Sequence, residues 1–432
     1  MKKWMSILMM IVLLLASVTA MADDTILLRV WGGVPAESGP QASIDLFNEA
    51  FKDKGIQAEY ERFVNDETGN LKLETSLLAG NDVDLYMTYT PAHLQKRAGG
   101  NMALDLSELI ARDGFDVEGI FGQMALSYYI DGKPYSLPTK MDQYGIVINK
   151  DMFDAAGIEI PKSWSFDEFR EIAKKLTSGE GDSKVYGMFF NSQQDLLYPF
   201  DYFSVQILGG DPLYKADGSA NVNDPVNVAA IDFVNSMMNV DGTAPTHTDS
   251  MTQKLSQEGM FLTGKSAMTI GPWMVRSIKN LDDYPHDFVT AFAPYPTVDG
   301  TMAYTQGGYG DHLCINPKSK NIEAAWTFMK WYATEGMLPL VTGGRVPSAN
   351  TYDSAVVTEY FLAGAEDIID AQTAKDVLIV PASNHAVPSN TNKLPEIRKV
   401  LTEELENIYT GVKTVQQGMD DAQARAQELL SK

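Results

Sequence analysis

Short apolar segments alternate with a helix-patterned segment near the start of the chain. The strand-like segments are 26–31, 57–62 and 84–89, and the helical pattern after the first of them comprises Ile44, Phe47, Ala50 and Phe51. Strands that alternate with helices usually pair in parallel, so the pattern predicts an α/β fold with a largely parallel sheet. Ligands of such sheets bind beyond the carboxyl ends of the strands, which makes the loops after Trp31 and Tyr89 candidate binding loops.

The length and charge of the chain limit the number of its domains and the partners that it can bind. A chain of 432 residues, 44% of them hydrophobic and 21% charged, has room for two globular domains. Its 57 acidic residues outnumber its 34 basic ones, for a formal net charge of -23. Binding to nucleic acid or to anionic lipid requires a basic surface, so we expect neither as a partner.

The first 22 residues have the layout of a secretory signal peptide. Two lysines precede an apolar run from Trp4 to Val18, and small residues at 20 and 22 form a cleavage pattern. The run is shorter than the roughly 20 residues that span a bilayer, so we expect cleavage after Ala22 and no stable membrane insertion. The one cysteine, Cys314, excludes a lipid-anchored N-terminus, a disulfide framework and a multi-thiolate zinc site. A periplasmic location is therefore predicted.

One phosphate-binding pattern is present in an unsuitable context. Gly259, Gly264, Lys265 and Ser266 satisfy G-x-x-x-x-G-K-S, which requires a strand before the first glycine and a helix at the lysine. Here the preceding residues have helical spacing, and the following residues have the pattern of a strand that ends at Pro272. The order is the reverse of a phosphate-binding loop, so we expect no nucleotide cofactor.

Motifs for catalysis or metal binding are not found. The five histidines lack metal-ligand spacing, and His312 and Cys314, two residues apart, are better explained as a packed strand than as two ligands. No G-x-S-x-G motif occurs, and paired carboxylates are too common in an acidic chain to indicate a glycosidase. We therefore expect a protein that is not an enzyme and that needs neither metal nor cofactor.

One helix start is well defined by its residues. Ser165 can cap the helix, Glu168 completes a capping box, and Trp164 can pack onto Phe169. These signals predict a helix that begins directly after Ser165.

An aromatic side chain at a strand end is the strongest binding signal. Trp273 follows Gly271 and Pro272, and a flat indole suits the apolar face of a pyranose ring. Tyrosines beside proline or glycine also occur at 198, 284, 295 and 309, where a half-buried rim position explains each of them equally well.

The chain resembles the extracellular solute-binding proteins of ABC-type sugar importers, the family that includes maltose-binding protein. The matching residues are Phe261, Gly264, Lys265, Ala267, Met268 and 271–273, with further matches in the family's order at 80–85, 135–138, 148–153, 156–164, 307–308, 319–326, 334–336 and 346–347. The resemblance covers essentially the whole chain after the signal peptide, and it also explains the phosphate-loop pattern.

The resemblance implies two α/β lobes joined by crossovers, with a ligand cleft that closes by hinge motion. One lobe would comprise residues 23–139 and 293–343, and the other 140–292 and the C-terminal helices within 344–432. The crossovers would fall near 138–139, 291–294 and 340–346. A monomer that passes its ligand to membrane permease subunits is expected.

The resemblance also assigns ligand contacts. These are Trp273 for stacking, Asp142 for sugar hydroxyls, Gln194 and Asp195 after the strand 185–190, Glu37 in the first loop, Thr88 and Tyr89 at the third strand end, Gly308 and Tyr309 in the lobe that follows the second crossover, and Arg345. Arg345 either reaches the cleft, favouring a carboxylate or phosphate on the ligand, or is a surface residue of the third hinge.

The implied ligand is a mono- or oligosaccharide. A polyol, a glycerophosphodiester or an acidic sugar is the alternative within the same class of binding protein. A secreted carbohydrate-active enzyme that uses a carboxylate pair is a third hypothesis, since acidic residues are plentiful.

Overall fold

Two β-sheets organise the part of the chain that the computed structural model describes, which comprises residues 25–80, 83–192, 195–271, 274–380, 384–388 and 392–432. The strands there are β1 (Ile26–Gly32), β2 (Ile56–Arg62), β3 (Leu85–Thr88), β4 (Leu137–Gln143), β5 (Ile146–Asn149), β6 (Met268–Ile270), β7 (Thr290–Ala293), β8 (Gly307–Ile315) and β9 (Val346–Pro347). Their order is β2-β1-β3-β8-β4-β9 in a six-stranded sheet and β6-β5-β7 in a three-stranded sheet. Each sheet forms the centre of one lobe, which we call the first and the second lobe.

Helices cover the faces of both sheets. The α-helices are Pro40–Ala50, Glu67–Ala79, Pro91–Gly99, Ser107–Asp113, Val117–Phe121, Lys150–Ala155, Phe166–Leu176, Val205–Leu208, Pro225–Asn239, His247–Gln253, Gln257–Phe261, Met274–Lys279, Ile322–Thr334, Leu338–Val341, Ser354–Leu362, Ala371–Ala374, Leu394–Tyr409 and Val415–Leu430. Shorter 3₁₀ turns lie at Ala36–Ser38, Lys52–Lys54, Gln123–Tyr128 and Gly181–Ser183, and π-helical turns lie at Pro199–Ser204 and Lys375–Ile379.

The strand directions differ from the predicted largely parallel sheet. β1 is parallel to β2 and β3, as predicted, but β8 runs antiparallel to both β3 and β4, and β5 runs antiparallel to β6 and β7. The prediction is therefore wrong beyond β1–β3. The cause is that β8 enters the six-stranded sheet from the second lobe, so it begins at the edge where its neighbours end.

The chain passes from the first sheet to the second over a very short distance. Only Tyr144 and Gly145 separate β4 from β5, whereas residues 294–306 separate β7 from β8. The predicted boundary after Thr139 lies inside β4, which pairs with β8 as far as Gln143. The division of the lobes at residues 139, 292 and 343 remains a prediction.

Separate hydrophobic cores stabilise the two lobes. Leu85, Leu313 and Trp326 are buried in the first lobe, and Phe169 and Phe233 in the second. Burial of a large apolar side chain contributes roughly 1.5–3 kcal/mol, so each core stabilises the sheet on which it packs.

β5 is buried on both of its faces. Ile146 and Ile148 pack into the second-lobe core, whereas Val147 points to a further cluster with Phe292. The alternation follows from the strand period of two, and it explains why the strand is apolar throughout.

The predicted helix start at Ser165 is confirmed. The Ser165 hydroxyl accepts a hydrogen bond from the Glu168 amide at 3.2 Å, and the Glu168 carboxylate accepts one from the Ser165 amide at 2.8 Å. The ring centroids of Trp164 and Phe169 lie 4.6 Å apart. A complete capping box thus fixes the first turn of this helix.

The phosphate-loop pattern is also explained as predicted. Helix Gln257–Phe261 precedes Lys265, and β6 follows it, which is the helix–turn–strand order.

A search of the described residues finds no helix with the length and hydropathy needed to cross a membrane. The predicted signal peptide, residues 1–22, lies outside the described residues.

Candidate functional site

The strand ends of the six-stranded sheet define the candidate site. β1, β2, β3 and β4 all end at the edge where β8 begins, because β8 runs in the opposite direction. We call this the cleft edge, since the chain crosses to the second lobe there. The rule that ligands bind beyond carboxyl strand ends points to the same edge.

Two cavities lie between the lobes. The larger, of about 840 Å³, has Gln123 and Ser127 of the first lobe on one wall and residues 208–211 and 214–218 of the second lobe on the other. The smaller, of about 500 Å³, lies between Glu37 of the first lobe and Arg276 of the second. Both volumes are within the range of small-molecule sites.

Asp142, a predicted hydroxyl-binding residue, lies at the cleft edge near the end of β4. Its carboxylate forms an ion pair with Lys140, which points to the same side of the strand because it is two residues away. In the register of the sheet Asp142 faces Gly308 and Lys140 faces Gly310. A Cβ at Gly310 would overlap the Asp142 carboxylate, so this glycine leaves room for the charged pair.

Three tyrosines, Tyr128, Tyr144 and Tyr202, lie close enough to Asp142 for its charge to act on them, and together we call these four residues the Asp142 cluster. Burial raises the pKa of Tyr144, and the neighbouring Asp142 carboxylate, which is also hydrogen-bonded to it, raises it further. Burial likewise raises the pKa of Tyr128 to about 12 and that of Tyr202 well above its ordinary value, with Asp142 contributing in both cases. The three hydroxyls therefore stay protonated and can donate hydrogen bonds at neutral pH.

His385 connects the Asp142 cluster to the larger cavity. It lines that cavity, and Asp142 is close enough to oppose the lowering of its pKa by burial. Neither ring nitrogen has a hydrogen-bond partner among the described residues, although both are shielded from solvent. Two unsatisfied nitrogens at a cavity wall can serve a polar ligand.

Asp195 lies in a second charged group next to Tyr202. Arg398 holds Asp201 with two hydrogen bonds of 2.9 Å, and Asp195 accepts a hydrogen bond from the Leu197 amide at 2.8 Å. Burial raises the pKa of Asp195, and Asp201 adds to this effect. The charge of Asp195 also acts on Tyr202, so this group adjoins the Asp142 cluster.

Arg345 lies at the cleft edge as well, paired with Asp311 of β8. Its Nε lies 2.8 Å from Asp311 Oδ2, and both side chains are largely shielded from solvent. Burial alone would raise the pKa of Asp311, but the positive charges of Arg345 and Lys140 outweigh it and lower the pKa. The carboxylate is therefore ionised, and the pair is a true ion pair.

Loops of the first lobe place Tyr89 and Glu37 at the cleft edge as well. The Tyr89 hydroxyl accepts a hydrogen bond from the Gly33 amide at 2.5 Å, and the charges of both Asp311 and Arg345 act on it. Glu37 is exposed in the turn Ala36–Ser38 and lines the smaller cavity.

Two predicted contacts point into the first lobe instead. Thr88 is completely buried, and its hydroxyl accepts a hydrogen bond from Arg97 Nη1 at 2.8 Å. The Tyr309 ring packs in the first-lobe core, and its hydroxyl donates to the carbonyl of Phe121. Their polar groups are therefore occupied within the lobe, whereas Gly308, next to Tyr309, lies in β8 opposite Asp142.

Two predicted contacts cannot be located. Gln194 and Trp273 lie outside the described residues.

Several residues at or near the candidate site were not identified from the sequence. They are Tyr60, Lys140, Tyr128, Tyr144, Tyr202, Arg276, Asp311, His385 and Arg398. Lys140 has a signal that could have found it, because it lies two positions before Asp142 in a strand. The tyrosines, His385 and Arg398 come from distant segments, and only the fold brings them together.

The described residues contain no group of three or more His, Cys, Asp or Glu side chains that could hold a metal ion. The polar groups of the cleft are carboxylates, phenols, an imidazole and guanidinium groups. They are suited to binding hydroxyls and charged substituents through hydrogen bonds.

Comparisons with known proteins identify the family. Residues 36–339 match the family described as bacterial extracellular solute-binding protein. The sn-glycerol-3-phosphate-binding periplasmic protein of Yersinia enterocolitica is 25% identical over 442 residues, covering 93% of this chain and 91% of that protein.

Solved structures confirm the two-lobe fold. A sugar transporter from Rhizobium etli, in an open conformation, is similar with a TM-score of 0.73 at 21% identity, covering 93% of this chain and 99% of that one. A cyclic alpha-maltosyl-1,6-maltose binding protein from Arthrobacter globiformis is similar with a TM-score of 0.70 at 20% identity, covering 94% and 99%. The family match extends over more than half of the chain, and the chain therefore belongs to the bacterial extracellular solute-binding protein family.

Proposed function

We propose that the protein binds a mono- or oligosaccharide in the cleft between its lobes and delivers it to an ABC importer. The observation that carries this proposal is the Asp142 cluster, a carboxylate among three tyrosines at the junction of the lobes. A carboxylate can accept hydrogen bonds from two sugar hydroxyls, and such charge-assisted bonds are stronger than neutral ones. Tyrosine rings supply apolar faces for the pyranose ring and hydroxyls for its rim.

The connection between the lobes supports a binding role that works by closure. Asp142 lies two residues from Tyr144, where the chain leaves the six-stranded sheet for the three-stranded one. A ligand that contacts Asp142 and Tyr202 contacts both lobes, so it favours the closed arrangement by its additional contacts there. The permease subunits of the importer would then recognise that arrangement.

The location we propose is the periplasm, reached through a signal peptide removed after Ala22. The apolar run from Trp4 to Val18 supports this proposal, as does membership of an extracellular family. N-terminal sequencing of the exported protein should give Asp23 as the first residue. A mature chain that still begins at Met1 would contradict it.

Binding without turnover is the expected activity. The sugar-named structural relatives support a carbohydrate, while the Yersinia relative, named for a phosphorylated polyol, favours a polyol or acidic sugar as the second candidate. Asp201, the acidic neighbour of Asp195, is engaged by Arg398 through both carboxylate oxygens, which leaves it poorly placed as a catalytic acid or base. A monomer is proposed on the same family grounds.

The experiment is a ligand screen with a matched variant. The mature protein is titrated with a panel of neutral mono- and oligosaccharides, following thermal stability and tryptophan fluorescence, and co-purified ligand is identified by mass spectrometry. We expect at least one sugar to bind, and Asp142→Asn to weaken it at least tenfold, whereas Asp53→Asn, an exposed change far from the cleft, leaves it unaltered. Hydrolysis of the bound sugar by the pure protein would overturn the proposal.

A further inference from the structure

The smaller cavity contains two opposite charges that come from opposite lobes. Glu37 of the first-lobe turn Ala36–Ser38 and Arg276 of the second-lobe helix Met274–Lys279 both line its wall. Both residues are exposed, and within the described part of the chain no ion pair or hydrogen bond joins either side chain to another residue. In the described arrangement of the lobes, the carboxylate and the guanidinium therefore do not neutralise each other.

The two segments that carry these charges meet at the third crossover. A Cβ at Gly343, in the crossover, would lie 3.5 Å from the Ser38 carbonyl oxygen and 3.7 Å from Arg276 Cδ, so the two segments approach this glycine from opposite lobes. Glu37 is the neighbour of Ser38, and a guanidinium extends several ångströms beyond Cδ. A small approach of the lobes is therefore enough to bring the two charges into contact.

Closure of the cleft narrows this cavity. Glu37 follows β1, which ends at the cleft edge of the first lobe. Arg276 follows β6, whose last residue, Ile270, pairs with Ile146, the first residue of β5 after the chain enters the second lobe. The two charges thus lie on the facing edges of the lobes, and a movement that brings these edges together brings the charges together.

The other charged groups of the cavity do not take the place of either residue. Glu258 belongs to the same lobe as Arg276, so closure does not bring it closer, and it accepts a hydrogen bond from the Ser277 hydroxyl at 3.2 Å. Lys279 donates to the backbone carbonyl of Phe361 at 2.5 Å. Among the charged residues that line this cavity, Glu37 is the one from the first lobe and Arg276 is the cation without a partner in the described chain.

We propose that Glu37 and Arg276, which we call the latch pair, form an ion pair between the lobes when the cleft closes and so stabilise the closed arrangement. The inference rests on closure of the cleft in the proposed function, and it gives Glu37 a positioning role that does not require contact with the ligand. An ion pair made in one arrangement only shifts the equilibrium towards that arrangement. For an exposed pair, the expected change in the ratio of closed to open molecules is about two- to fivefold.

The test measures the distance between the lobes of the mature protein without any ligand. Nitroxide labels are attached to Asp53→Cys in the first lobe and Lys175→Cys in the second, both exposed, while the natural Cys314 is buried and stays unlabelled. Pulsed electron paramagnetic resonance at low salt gives the distribution of distances between the labels. We expect a closed component beside the open one, and Glu37→Gln and Arg276→Gln should each lower the ratio of closed to open molecules about two- to fivefold.

Matched variants distinguish an ion pair from a general effect of charge. Exchange of the two charges, Glu37→Arg with Arg276→Glu, should restore the natural ratio, whereas Glu258→Gln, which removes a carboxylate from the same cavity, should leave it unchanged. The differences should shrink at high salt, because exposed charges are screened. The latch pair is refuted if folded single variants keep the natural ratio, if the exchange does not restore it, or if the natural protein has no closed component.

These outcomes are separate from those of the carbohydrate function. The labels report closure with no sugar present, so the expected response supports the latch pair even if no sugar of the panel binds. If a sugar binds but both single variants keep the natural ratio, the carbohydrate function stands and the latch pair is refuted. Unfolding midpoints of all variants show whether they are folded.

Discussion

Asp311 and Arg345 form an ion pair that ties β8 to the third crossover, with Arg345 Nε 2.8 Å from Asp311 Oδ2. The side chains are only 9% and 16% exposed. A buried pair of this kind adds little net stability over an apolar replacement, but removal of one partner leaves a buried charge without compensation.

The first prediction concerns this ion pair. Arg345→Met should lower the free energy of unfolding by about 3–5 kcal/mol, because the Asp311 carboxylate stays buried without its partner. The double variant Asp311→Asn with Arg345→Met should recover a large part of that loss. Urea unfolding of both variants measures the difference, and purely additive losses would contradict the coupling.

The second prediction concerns the space next to Gly308. A Cβ there would lie 2.5 Å from the Tyr128 hydroxyl, at a backbone φ of 147° that side chains rarely adopt. Gly308→Ala should lower the free energy of unfolding by about 1–3 kcal/mol. In a Tyr128→Phe background the cost should fall, because the obstructing oxygen is gone. An equal cost in both backgrounds would assign the whole effect to the backbone.

The third prediction concerns pH and the buried His312. Its Nε2–H donates to the Tyr309 carbonyl at 3.1 Å, and its Nδ1 lies 3.3 Å from the Ser136 hydroxyl oxygen. Burial lowers its pKa from 6.5 to about 4. The unfolded chain therefore takes up a proton between these values that the folded chain does not, and the stability from this group is lost as pH falls from 6.5 to 4.

The size of that effect follows from the shift. Between pH 6.5 and pH 4, a pKa lowered by about 2.5 corresponds to a loss of about 3 kcal/mol in the free energy of unfolding. Urea unfolding at pH 7 and at pH 4.5 should show a smaller loss for His312→Gln than for the natural chain. Equal losses in the two proteins would contradict this assignment.

The fourth prediction concerns Trp273, which rests on the sequence. Trp273→Ala should weaken ligand binding by about 1–3 kcal/mol, because the ligand loses an aromatic contact in a preformed pocket. The unfolding midpoint should change little. Calorimetry with the ligand found in the screen measures the effect, and unchanged affinity would exclude a stacking role.

Local patterns predicted the first elements and the parallel pairing of β1 to β3, but not the pairing of the later strands. The capping box at Ser165 and the strands β1 to β3 follow from neighbouring residues alone. The antiparallel insertion of β8 does not, since nothing within Gly307–Ile315 encodes its distant partners β3 and β4. Long-range pairing depends on the whole core, which is why the predicted parallel sheet extended too far.

The candidate site could be predicted only in part for a similar reason. Asp142 was found through the resemblance to the family, but Tyr202 and His385 come from segments with no local sign of a cleft. For Thr88, the position was predicted but the direction of the side chain was not. Its place at a strand end was predicted, but the face to which its side chain turns depends on the packing around Arg97.

The position of β8 in the six-stranded sheet has a consequence for the newly made chain. Leu85 pairs with Ile315, so the strand that joins β3 to β4 is synthesised long after both of them. Until residue 315 leaves the ribosome, the growing polypeptide has two incomplete sheet fragments with unpaired edges and cannot close its first lobe. Such a chain keeps the first lobe open during translation and can complete the six-stranded sheet only after β8 has been made.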